Sequence, residues 1–100
     1  MASQNDLRRH RRESADSTVQ LIWTDEAGGD RCANARALDI SDIGLRLQMP
    51  VRIRERSYVT LRSEALGIHG RASVRYCSRV GNNYIVGVEF AAGLKRQSKR

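Results

Sequence analysis

Aromatic side chains are scarce in this chain, with one Trp, one Phe and three Tyr among 100 residues. That is too few for the row of stacking platforms by which single-stranded nucleic acid is usually gripped. Cysteine is limited to Cys32 and Cys77, 45 positions apart and in no CxxC or Cys/His cluster, so no zinc-site spacing exists. Two isolated free thiols are expected to be core residues. His10 and His69 share no HExxH-type spacing, and His10 stands inside an arginine run that would repel a dication. No metal site is expected. Long apolar runs are missing too: hydrophobic types make up 40% of the chain, but no run approaches the roughly 20 residues that cross a bilayer as a helix. The basic start, MASQNDLRRHRRES, has no apolar stretch behind it and so does not read as a secretory signal. These absences lead to the expectation of a cytoplasmic protein without membrane insertion. No nucleophile, paired carboxylate or metal cluster argues for catalysis, because Asp39 and Asp42 lie three apart in a turn and do not form an acid–base pair. The chain is expected not to be an enzyme.

Lysine is nearly absent as well: arginine outnumbers it 16 to 2, within a formal net charge of +7. Guanidinium offers a planar fork that suits phosphate oxygens and guanine edges, which ammonium does not. The location of the excess matters more than its size. Residues 1–12 hold four Arg and one Asp, and residues 95–100 hold Lys95, Arg96, Lys99 and Arg100; between them ten Arg meet ten acidic residues. The body of the chain is therefore neutral and its two ends are basic, which weakens any reading as a broad cationic nucleic-acid surface.

At 100 residues the chain fits one domain that buries roughly two-thirds of its unfolded surface. From Ser17 onward, short β-branched and apolar runs alternate with turn residues. Six strands are predicted: 18–23 (TVQLIW), 31–40 (RCANARALDI), 44–48 (GLRLQ), 58–62 (YVTLR), 68–79 (IHGRASVRYCSR) and 84–90 (YIVGVEF). DEAGGD and SDIG separate the first three as hairpins. Met49 and the only proline, Pro50, close the third, since proline cannot donate to a ladder. Helical periodicity is weak except at the carboxyl end. The expected class is all-β, a small six-stranded antiparallel barrel, because closure removes exposed edges. Around it the expectation sets a flexible arginine-rich arm at 1–16, the barrel at 17–92 and a basic tail or short helix at 93–100.

Two motifs gain meaning when read together: RRHRR at 8–12 and DISDIG at 39–44. The first supplies RxxxR through Arg8 and Arg12; the second supplies (D/N)xSxxG through Asp39, Ser41 and Gly44, 27 positions after Arg12. Each pattern alone is common, but the ordered pair in an all-β chain of this length resembles the PilZ domain family. A final VGVEF strand, Val86 to Phe90, extends the resemblance. What it implies is a split β-barrel that binds cyclic di-GMP through these five residues, with Arg9 admitted because many members begin RR. No cofactor beyond that ligand is implied.

The chemistry fits the residue types. Cyclic di-GMP carries two phosphates and two guanines, and arginine can neutralise, stack and bond to purine edges. Arg8 and Arg12 on an extended arm would stand roughly 13 Å apart and could bracket the ligand. Asp39, ionised, could accept from guanine N1 and N2, Ser41 could reach phosphate or purine, and Gly44 could admit close backbone approach. The plainer alternatives are an Asx or ST turn at Asp39 and Ser41, a positive-φ turn at Gly44, and a solvated arginine tail. Tyr76 and Arg79 fall where the family often carries a base-contacting side chain, although Tyr76 shares parity with Ala72 and Val74 and could face the core. Trp23 is expected in the core. Leu7, before RxxxR, leans by resemblance toward one bound ligand rather than a stacked pair. The rival readings are a small basic barrel that binds RNA or DNA through its tails and a PilZ-like protein-interaction module that binds no nucleotide. A receptor of this size is expected to signal through a separate effector protein, for example of motility or exopolysaccharide machinery, with nucleic acid disfavoured as a partner.

Overall fold

In a computed structural model, residues 16–91 are described throughout, together with the backbone of 13–14 and 95–96. Among the described residues eight strands form one antiparallel sheet: β1 (Glu13–Ser14), β2 (Thr18–Thr24), β3 (Asp30–Ile40), β4 (Gly44–Met49), β5 (Tyr58–Ser63), β6 (Ile68–Val80), β7 (Asn83–Phe90) and β8 (Lys95–Arg96). The hydrogen-bonded order β3-β2-β5-β6-β7-β4 closes on itself through a β3–β4 pairing. Six strands therefore form a barrel without a free lateral edge on the circuit, as the alternating sequence predicts. β1 adds beside β3, and β8 beside β6.

The alternation is legible strand by strand. In β2, Val19, Leu21 and Trp23 point inward, and in β5 Val59 and Leu61 do so. With Leu45, Leu47, Val74, Val86 and Val88 they make one core, joined by Ile53 from the connection between β4 and β5. Burying a side chain of this kind is worth about 1.5–3 kcal/mol. Trp23 is in the core at 8% exposure, with the Arg31 guanidinium 5.8 Å from its ring centroid.

Three expectations need correction. Cys32 is exposed and pairs with the outward-facing Ile22, so period-2 alternation sends it away from the core, whereas Cys77, opposite Val86, is half-buried against the core. Lys95–Arg96 is strand rather than helix, because its backbone pairs with His69 and Ile68. The third is the parity of Tyr76. The β6–β7 register shifts between Val74 and Tyr76, and one extra residue in a bulged strand turns every later side chain to the opposite face. Tyr76 is therefore outside, 39% exposed. A matching shift lies in β3 between Ala37 and Asp39. Ala35 and Ala37 face inward, Ile40 takes the next core position, and Asp39 is turned outward.

Candidate functional site

The two bulges meet on one row of cross-strand neighbours. Ser14 pairs with Asp39, Asp39 with Arg46, Arg46 with Gly87, and Gly87 with Tyr76. The row crosses β1, β3, β4, β7 and β6 on the outside of the barrel. Asp39 and Tyr76, 37 positions apart in sequence, are thus brought to one band by the two registers that shift.

Within the row, Arg46 Nε donates to Asp39 Oδ2 at 2.7 Å, and Nη2 stands 2.7 Å from the same oxygen. The Asp39 side chain is 14% exposed and that of Arg46 45%, so this is a half-sheltered charge pair with two bonds to one oxygen. The Asp39 carboxylate, by hydrogen bond and then by charge, raises the Arg46 pKa above its ordinary value against the opposing effect of burial, and Tyr76 adds a smaller upward contribution. On the next strand, a Cβ at Gly87 would collide with the Tyr76 ring. The missing side chain is what lets that ring lie across β7 toward Arg46.

The DISDIG turn sits at the end of the same hairpin. Ser41 N–H donates to the Gly44 carbonyl at 2.9 Å, and Ile43 N–H donates to Ser41 Oγ at 3.3 Å. Phe90 N–H closes the turn onto β7 by donating to the Ile43 carbonyl at 2.7 Å. Ser41 is 3% exposed, so its hydroxyl shapes the loop from inside. Gly44 does not have positive φ; a Cβ there would collide with the Val88 carbonyl oxygen, so the glycine permits close approach of β4 to β7. Asp39 is thus the one member of DxSxxG whose side chain faces outward in the row.

Arg8, Arg9 and Arg12 lie outside the described residues, as does Leu7. The described strand that follows them in the chain, β1, runs antiparallel to β3 with Glu13 opposite Ile40 and Ser14 opposite Asp39. Arg79 is not brought into the row. It sits three positions beyond Tyr76, near the β6–β7 turn, and its Nε donates to the Gly81 carbonyl at 3.1 Å.

Arg46 is the residue that motif reading missed. Its signal was available: it alternates with the apolar Leu45 and Leu47 two positions past Gly44, which sends it outward on the partner strand of Asp39. A family model described as PilZ domain matches residues 6–100. No curated protein matches the chain.

Proposed function

Because the chain belongs to the PilZ domain family, a family of binding and adaptor domains known for cyclic di-GMP, we propose that it is a cyclic di-GMP receptor that signals to a separate effector protein. One observation carries the reading: Glu13 and Ser14 pair with Ile40 and Asp39. The segment that immediately follows RxxxR is thereby laid beside the strand that ends in DxSxxG, two motifs that are far apart in the chain.

On this reading Arg8 and Arg12 take the phosphates and purine faces, Arg9 assists, and Asp39 accepts from a guanine edge. Tyr76 offers an exposed ring for a base, and Ser41 and Gly44 hold the turn from which Asp39 projects. Arg79 stands outside the row with its Nε on the Gly81 carbonyl, and takes a lesser part through its Nη donors. Binding draws the segment ahead of Glu13 across the row and creates a new surface that a partner can read. Fixing about five residues costs roughly 1–2 kcal/mol each, and each charge-assisted hydrogen bond returns roughly 1.5–3 kcal/mol. The sums are close, so every arm contact counts.

The test is calorimetric titration with cyclic di-GMP, GTP and a single-stranded oligonucleotide at two salt concentrations. Saturable binding of cyclic di-GMP alone supports the receptor. Oligonucleotide binding that collapses with salt, without any dinucleotide response, would replace it with a tail-mediated nucleic-acid binder. A response to none of the three would leave the protein-interaction module.

A further inference from the structure

Arg46 lies in the middle of the row, on the fixed wall of the barrel rather than in the segment that carries RxxxR. Its Nε and Nη2 both stand 2.7 Å from Asp39 Oδ2. Two donors hold Oδ2 in place, and with Cβ set by the strand a fixed Oδ2 leaves the carboxylate one orientation. On its other side Arg46 meets Tyr76, whose ring crosses β7 at Gly87. Neighbouring strands are about 4.8 Å apart, so a ring lying over Gly87 is one strand interval from β4. Acceptor, guanidinium and ring therefore form a continuous band with Arg46 as the joint.

We propose that Arg46 is a positioning residue for nucleotide recognition: it sets the Asp39 carboxylate in the orientation in which a guanine edge can be accepted, and acts on affinity through Asp39. The proposal rests on the cyclic di-GMP reading and adds to it a residue outside both motifs. A positively charged side chain near a bisphosphate could also act simply by its charge, and the two roles differ in one measurable respect. A charge effect is independent of what stands at position 39. A positioning effect disappears when the carboxylate is gone.

The experiment is a double-mutant cycle on cyclic di-GMP affinity with the wild type, Arg46→Met, Asp39→Asn and the pair. Methionine keeps the apolar stem of the side chain and removes the fork, and asparagine removes the charged acceptor while keeping the size. Arg46→Met in the wild-type background is expected to weaken binding roughly ten- to a hundredfold, the value of a charge-assisted bond. In the Asp39→Asn background the same change is expected to weaken it less than about threefold, because a coupled pair is not additive. Thermal melting of the unliganded variants establishes that each is folded, as expected for a side chain that is 45% exposed. An equal loss in both backgrounds would overturn the positioning role, and so would unchanged affinity in Arg46→Met. Absence of cyclic di-GMP binding by the wild type would instead overturn the receptor reading on which the proposal stands.

Discussion

Gly44 and Val88 approach so closely across β4 and β7 that a Cβ on Gly44 would collide with the Val88 carbonyl oxygen. The obstacle is backbone, part of a ladder that also pairs Gly44 with Glu89 and Leu45 with Val88, and it cannot swing aside as a side chain can. Gly44→Ala is therefore expected to destabilise the protein in the absence of any ligand, by about 1–3 kcal/mol as for other overpacked sites. Urea unfolding of the unliganded variant measures this. Unchanged stability combined with lost nucleotide binding would assign the glycine to ligand approach instead.

Gly87→Ala makes the opposite case, although the crowding is as tight. Here the obstacle is the ring of Tyr76, a partly exposed side chain that can rotate into solvent. The expected stability loss is under about 1 kcal/mol, while the ring is displaced from Arg46. If Tyr76 is a base platform, cyclic di-GMP affinity falls in Gly87→Ala and in Tyr76→Ala by similar factors, since both remove the same ring from the same place. Titrations of the two variants side by side check this, and full affinity in both would remove Tyr76 from the site.

The strands were legible because each side of the barrel obeys period 2 for most of its length: the six predicted runs match β2 to β7 within one residue at every end. Pro50 marked the end of β4 as expected. What alternation cannot reveal is where it breaks. The extra residues in β3 and β6 carry no signature of their own in ALDI or SVRY, because a bulge is fixed by what the neighbouring strand pairs with. Those two breaks turn Asp39 and Tyr76 outward together, so the parity argument that placed Tyr76 with Val74 failed at Arg75. Asp39 and Gly44 were found through a motif, but the role of Gly44 was not, since the atom that requires a glycine belongs to a strand more than forty residues later. Arg46 followed from parity alone and was passed over because it belongs to neither motif.

The turn after β2 is expected to respond to acid. Asp25 Oδ1 accepts from Gly29 N–H at 2.8 Å and from Ala27 N–H at 3.0 Å, and Arg31 lies 3.7 Å from Oδ2. These contacts, the Gly29 bond foremost, hold its pKa below the ordinary value of 3.8. A carboxyl whose pKa is lower folded than unfolded adds stability while it is ionised and loses that contribution as acid protonates it. Asp25→Ala is therefore expected to lower the melting temperature at neutral pH, with the difference from wild type shrinking as the pH falls through and below about 3.8. A difference that is constant over this range would show that the side chain acts by shape alone.

Arg12 and Arg8 are both expected to be needed for affinity, although more chain must be fixed to hold Arg8. Arg12 directly precedes Glu13, whose backbone is paired with Ile40, so little chain has to be fixed to hold it near Ser41. Arg8 lies four residues further out, and fixing each intervening residue costs roughly 1–2 kcal/mol. Removing either guanidinium forfeits charge-assisted bonds of roughly 1.5–3 kcal/mol, so Arg8→Ala and Arg12→Ala should each weaken cyclic di-GMP binding by at least about tenfold. Inserting two glycines between Arg12 and Glu13 tests whether β1 guides both. Such an insertion leaves β1 paired but can shift everything ahead of it by about 6.6 Å, and it adds flexible chain to be ordered. If both arginines act from a segment guided by β1, the insertion should cost at least as much affinity as Arg12→Ala, without a change in urea unfolding. Retained affinity in the insertion variant would mean that β1 does not guide the arginines to Asp39, and that the pairing of Ser14 with Asp39 is a feature of the fold alone.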